Sequence, residues 1–273
     1  MKLPNFLLVG YPKCGTSSLY SMLKKHPDIF LPTKKELHFF NVVGKDDLQL
    51  RTELFPFEDS IQRYITREFS DYCRYFEKVE SEKIIGDMTP SYILDAETSI
   101  RNIYRYLPNP EFVKILILIR NPVDASYSHY NMQYRKNLEY LSYEDSIKQS
   151  EVRRKYGHYR RDHIHGFQYC SGIKQYLDNF RDVLVLTQEQ LYSNPAEELG
   201  NIFSFLGVEE MQENITVEHR NKGDYCSSLD DDLRRILYFS YFKEDVDKLE
   251  FLLGLSLDSW KYSTQENPEI SNK

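Results

Sequence analysis

The chain has 273 residues, 41% hydrophobic and 28% charged, which is enough for one sizeable α/β core. Its formal net charge of −7 argues against a general nucleic-acid binder, so any anionic partner must be held by a local patch. No stretch approaches the roughly 18 apolar residues of a membrane span, which excludes stable membrane insertion from the expectation.

In chain order, "NFLLVG" (5–10) is a short apolar run ending in glycine, as a buried parallel strand should be. "TSSLYSMLKKH" then places Leu19, Met22 and Leu23 on one helical face, and "HPD" stops the helix. Residues 61–79 repeat Ile61, Ile65, Phe69, Tyr72 and Phe76 at helical spacing, and "KIIGD" (83–87) reads as a strand. Asp95 is placed to cap a helix carrying Ile100, Ile103, Tyr104 and Leu107. "FVKILILI" (112–119) is the clearest buried strand. Asn121 as cap and Pro122 as first helical residue open the next helix. A helix around 166–180 leads to a fourth strand, "VLVLT" (183–187). Two further helices span Pro195 to Leu206 and Asp230 to about Leu253. Strands alternating with helices predict a parallel sheet flanked by helices, an α/β fold, and without a long linker residues 1–273 read as a single domain.

"GYPKCGTSSL" (10–19) departs from the nucleotide-triphosphate loop G-x-x-x-x-G-K-[ST]: Thr16 follows Gly15, and the lysine has moved back to Lys13. A glycine-rich turn from a buried strand into a helix offers backbone N–H groups and the helix N-terminus to an anion. The alternative is a tight turn with no ligand. An ATP site uses the displaced lysine on its β and γ phosphates, so its absence suits a smaller group.

Two further pieces also suit phosphate. In "ILIRNPVDASYSHY", Arg120 ends a strand, where open α/β sheets bind ligands, and Ser128 follows eight residues later. In "HRNKGDYC" (219–226), Arg220 and Lys222 precede Gly223. Each piece alone is equally a solvated turn; together they suggest a nucleotide with two separate phosphates. In "KKELHFFN" (34–41), Glu36 and His38 would share one side of an extended segment, each a candidate general base. "RRKYGHYRRDHIHG" (153–166) gathers Arg153, Arg154, Lys155, Arg160 and Arg161 with aromatic residues. It is either a grip for an anionic acceptor or a solvated surface.

On these residues the chain resembles the sulfotransferases that use 3′-phosphoadenosine 5′-phosphosulfate (PAPS). "YPKCGTSSL" is similar to their 5′-phosphosulfate loop, Y-P-K-S-G-T-T; "RNPVDASYS" to their 3′-phosphate motif; and "RNKG" to their late basic loop. "HPDIFLPTKKELHFFN" resembles the heparan sulfate and carbohydrate sulfotransferase-like group, where H-P-D precedes E-x-H-F-F. "GDMTPSYIL" (86–94) is similar to the next segment, usually E-K-T-P-x-Y, with Asp87 and Met88 where glutamate and lysine would stand.

The resemblance implies a P-loop-like three-layer fold, PAPS as donor and 3′-phosphoadenosine 5′-phosphate (PAP) as product. It also implies Glu36 as base, His38 as an orienting group and Lys13 on the leaving phosphate. Lys13, Cys14, Gly15, Thr16, Ser17 and Ser18 would hold the 5′ end; Arg120, Ser128, Arg220, Lys222 and Gly223 would hold the 3′-phosphate. No metal is expected, and the acceptor would be a carbohydrate or another hydroxylated or anionic molecule. A kinase or ATPase with an irregular loop, and a non-catalytic nucleotide-binding protein of the same fold, are the competing expectations. The four cysteines show no C-x-x-C pair, and "MKLPNFLLVG" is too short for a signal peptide, so the expected location is cytoplasmic and reducing.

Overall fold

The computed structural model describes residues 2–46, 65–156, 161–211 and 229–262. The strands are β1 (Phe6–Gly10), β2 (Ile29–Phe30), β3 (Ile84–Met88), β4 (Lys114–Ile119) and β5 (Val183–Thr187). The helices are α1 (Thr16–Leu23), α2 (Phe69–Arg74), α3 (Ala96–Tyr106), α4 (Pro122–Arg135), α5 (Tyr143–Lys148), α6 (Ser150–Lys155), α7 (Cys170–Asn179), α8 (Gln188–Ser193), α9 (Pro195–Leu206), α10 (Asp231–Leu237) and α11 (Lys243–Leu253). These residues form two compact units, one drawn from 1–120 and 172–222, the other from 121–171 and 223–273.

The first unit holds the sheet, in the order β2-β3-β1-β4-β5. Every pairing is parallel, with Phe6 opposite both Gly86 and Lys114, and Leu116 opposite Leu184. β1 and β3 are buried along their whole length, as is β4 beyond Lys114. That is why they read as continuous apolar runs: a parallel sheet flanked by helices has no wet face. The expected strands all form. β2 is an additional edge strand, only two residues long, and too short to leave a pattern.

Helix boundaries differ more. Within the described part of 61–79 the α-helix is confined to Phe69–Arg74, although Tyr72 and Phe76 are buried as expected; residues 61–64 lie outside the described residues. Asp95 does precede α3, but its side chain makes no capping bond and pairs with Lys45 at 2.5 Å. Tyr104 faces outward, and Ser99 and Asn102 share the buried face with Ile100 and Ile103. The 166–180 helix begins at Cys170, after a short 3₁₀ turn.

In the second unit, α4 starts as its sequence dictates. The Asn121 side chain accepts from the N–H groups of Val123 (3.0 Å) and Asp124 (3.4 Å), and Pro122 takes the first helical position. The helix expected over 230–253 forms with a π-helical turn at Tyr238–Phe242 between α10 and α11. Behind α4 lies a buried ion cluster. Arg153 donates to both oxygens of Glu139, at 2.5 and 3.2 Å, and His163 lies 3.2 Å from the same carboxylate. Burial pushes the Glu139 carboxyl up, but the His163 and Arg153 hydrogen bonds outweigh it and hold it well below the usual range. Burial likewise depresses the His163 pKa.

Candidate active site

In the first unit, the carboxyl ends of β1, β2 and β3 deliver three segments whose polar groups meet, where a parallel sheet places its ligands. The first is the loop 11–15. Gly15 has φ +91 and takes the position before α1, a left-handed conformation that costs glycine little and any other residue more. Its carbonyl accepts from the N–H groups of Ser18 (3.0 Å) and Leu19 (3.2 Å), closing the first turn. The leading N–H groups of such a helix have no partner within it and suit an anion. Lys13 is also left-handed, at φ 68. Cys14 is fully buried, its thiol 3.5 Å from the Pro12 carbonyl, so it shapes the loop from within. Thr16 and Ser18 are buried as well, and Tyr192 of α8 donates to the Ser18 hydroxyl at 3.4 Å.

The second segment carries Glu36 and His38. They do come to one side, with Nε2 of His38 3.8 Å from Oε2 of Glu36. The expected route was wrong. Both residues have positive φ, 62 and 54, instead of the alternating extended backbone, an arrangement that persists only where the surroundings enforce it. Here the Glu36 N–H donates to the Met88 carbonyl at 3.3 Å, and the Phe39 N–H to the Tyr92 hydroxyl at 3.2 Å. The fully buried Phe39 ring stacks on Tyr72 at 4.5 Å between centroids. Nδ1 of His38 lies 3.0 Å from the Ser91 hydroxyl, which also accepts from Asn41.

The third segment is the end of β3 and the turn after it. Asp87 is buried and accepts three hydroxyls: Tyr92 (2.7 Å), Thr89 (2.7 Å) and Tyr72 (3.0 Å). Burial raises its pKa to about 6, against the pull of those donors and with the nearby Glu36 charge adding to the rise. The same burial and the Asp87 charge lift both tyrosines well above their usual range, so they remain donors. Ser91 and Tyr92 thus hold the segment bearing Glu36 and His38. Sequence reading noted "TPSY" only as a family match; its small hydroxyl residues were the available signal.

One residue was missed altogether. The ammonium of Lys35 lies 3.1 Å from Thr16 Oγ1, 3.0 Å from Ser17 Oγ and 3.2 Å from Glu36 Oε1. A single cation therefore joins the loop to the candidate base.

Arg120 is half-buried just beyond β4 in the first unit, and Ser128 is buried on α4 in the second. Arg220, Lys222 and Gly223 lie outside the described residues. The basic segment 153–166 is corrected in part: Arg153 and His163 belong to the buried Glu139 cluster, and His165 pairs with Asp162 at 2.7 Å, so none of these is a solvated grip. Residues 157–160 lie outside the described residues. Among the described residues, Cys14, Cys73 and Cys170 form no disulfide, no cluster of three or more His, Cys, Asp or Glu is arranged for a metal, and no helix is long and apolar enough to cross a membrane.

Comparison with known proteins agrees with this fold. A family model described as "Sulfotransferase domain" matches residues 3–230. The crystal structure of a sulfotransferase from Alicyclobacillus acidocaldarius is similar over 96% of this chain and 100% of that one, with a TM-score of 0.80 and 31% identity. Among curated proteins, the chain is 32% identical over 139 residues to the membrane-associated sulfotransferase kil1 of Dictyostelium discoideum, covering 49% of this chain and 24% of that protein. It is 26% identical over 270 residues to the human bifunctional heparan sulfate N-deacetylase/N-sulfotransferase 1, covering 92% of this chain and 28% of that protein. The chain thus spans under a third of the length of either curated relative.

Proposed function

The chain belongs to the sulfotransferase family, and from that premise we propose that it transfers a sulfuryl group from PAPS to a hydroxyl or amine of a carbohydrate acceptor. The observation supporting this most directly is that the Glu36 carboxylate and the Thr16 and Ser17 hydroxyls share one ammonium. A candidate base thus stands beside a loop built for an anion. The donor fits that loop: N–H groups at a helix N-terminus, two hydroxyls and Lys13 match a phosphate carrying one transferable group, and Thr16 stands where an ATP loop has its lysine.

In this reading the loop binds the 5′-phosphosulfate and aligns its sulfur with the acceptor. The bond between sulfur and the phosphate oxygen breaks, and its electron pair stays on PAP. A new bond from sulfur to the acceptor oxygen or nitrogen forms, and the acceptor's proton passes to Glu36. Lys13 and the loop N–H groups stabilise charge on the departing phosphate, where preorganised donors act most strongly. His38, fixed by Ser91, orients Glu36 or the acceptor. The 3′-phosphate role proposed for Arg120, and separately that for Ser128, rests on the "RNPVDASYS" motif alone. The carbohydrate acceptor draws support from the E-x-H-F-F segment and from the heparan sulfate relatives.

The test is incubation with PAPS and an unsulfated, N-deacetylated glycosaminoglycan, following PAP release and sulfate on the polymer together. Matched appearance of both is expected. PAP without sulfated polymer would move the acceptor to another class, and ATP hydrolysis in its place would overturn the reading.

A further inference from the structure

We propose that Lys35 is a donor-site cation of this enzyme, gripping the 5′ end of the nucleotide, and that Glu36 competes with the donor for it. The inference rests on the sulfuryl-transfer reading above and assigns a residue that neither the loop motif nor the E-x-H-F-F motif contains.

A lysine ammonium has three N–H donors and no acceptor. At Lys35 all three have oxygens within reach: two hydroxyls of the loop and one carboxylate oxygen of the candidate base. The preceding lysine shows that this is not a general property of the segment, since Lys34 turns to the Tyr75 hydroxyl, 3.1 Å away. What aims Lys35 at the loop is the left-handed backbone at Glu36, whose N–H is tied to the end of β3. The Lys35 side chain is largely covered, 17% exposed against 45% for Glu36. A covered ammonium resting on the hydroxyls of an anion loop is an electrostatic complement for a bound phosphosulfate.

The Glu36 contact then takes on a second meaning. An anion oxygen arriving at Thr16 and Ser17 draws the Lys35 ammonium toward itself and loosens its bond to Glu36 Oε1. That leaves a carboxylate lone pair open to the acceptor's proton. Donor occupancy and base readiness are thereby coupled through one side chain. With no donor bound, Lys35 neutralises the base.

The experiment compares adenosine 3′,5′-bisphosphate with adenosine 3′-monophosphate by calorimetric titration of the wild-type chain and of the K35M, K35Q, K35R and E36Q variants. The wild type should prefer the bisphosphate. K35M should bind the bisphosphate about 10- to 100-fold more weakly, the range expected for a charge-assisted hydrogen bond, with 3′-monophosphate affinity unchanged. K35Q, which can still bond the loop hydroxyls, gives the same test should K35M fail to fold. K35R, which keeps the charge, should retain most of the preference. E36Q should change affinity in the opposite direction, toward tighter bisphosphate binding, because the competing carboxylate charge is gone. Wild-type bisphosphate affinity in K35M and K35Q would overturn the assignment and leave the donor-site reading intact. Equal loss of both nucleotides in those variants would show a disturbed fold in place of a lost cation, and would also overturn it. A wild type that does not prefer the bisphosphate would remove the donor-site reading itself.

Discussion

Tyr92 donates a 2.7 Å hydrogen bond to Asp87, and the same hydroxyl accepts the Phe39 backbone N–H at 3.2 Å. One phenol therefore connects a buried carboxylate to the strained segment that carries Glu36 and His38. Tyr92→Phe breaks both bonds with little change of volume. Leaving the buried Phe39 N–H unmet costs about 1–3 kcal/mol. We expect urea unfolding to register a loss of that order and kcat to fall. A variant with wild-type kcat would show that Tyr92 does not position the base.

Asp87 gives a pH signature. Its folded pKa of about 6 exceeds the ordinary 3.8 because burial disfavours the charge. The folded state therefore holds the proton more tightly than the unfolded chain. This contribution is complete below about pH 4 and is lost as pH rises through about 6. A shift of that size corresponds to roughly 3 kcal/mol. In Asp87→Asn this titration is absent, so wild-type stability relative to the variant should decline between pH 4 and 6. A difference that stays flat across that range would mean that Asp87 titrates normally.

Glu139 and Arg153 give a prediction within the second unit. Arg153→Met leaves the Glu139 carboxylate buried without its guanidinium partner, and loss of one partner of a buried pair costs about 3–5 kcal/mol. Replacing Glu139 by leucine in the same chain should restore part of that loss. Urea denaturation of the single and double variants is the measurement. A single variant within about 1 kcal/mol of wild type, the range of an exposed ion pair, would contradict the buried-cluster account.

The elements that were legible in the sequence share a cause. β1 and β4 are apolar runs because a parallel sheet leaves its inner strands no wet face, and Asn121–Pro122 is a cap written in two residues. The loop was legible because its glycine has a backbone task, realised at φ +91. Lys35 was not, since a lysine before a glutamate looks like any solvated pair until the left-handed turn at Glu36 aims it. Arg153 misled for the opposite reason: it lies in a basic run, but its partner Glu139 is 14 residues away, and only folding buries the two together. Glu36 and His38 were correctly paired by an incorrect route, because period-2 reasoning assumes the extended backbone that Met88 and Tyr92 prevent.

Glu36→Gln separates chemistry from binding. Loss of a general base typically costs about 10²–10⁴ in rate, and the substitution leaves the loop's own donors in place. Turnover with PAPS should fall by that factor while bisphosphate binding persists. Near-normal turnover would pass the base role to His38.

The most direct test of the account is a thermal-shift titration with adenosine 3′,5′-bisphosphate, set beside ATP with Mg²⁺. At about 100 times Kd, a ligand that binds only the folded chain adds roughly 2.7 kcal/mol, a shift of several degrees. The account predicts that shift with the bisphosphate and none with ATP. A shift with ATP alone would contradict it and return the loop at residues 10–19 to the kinases.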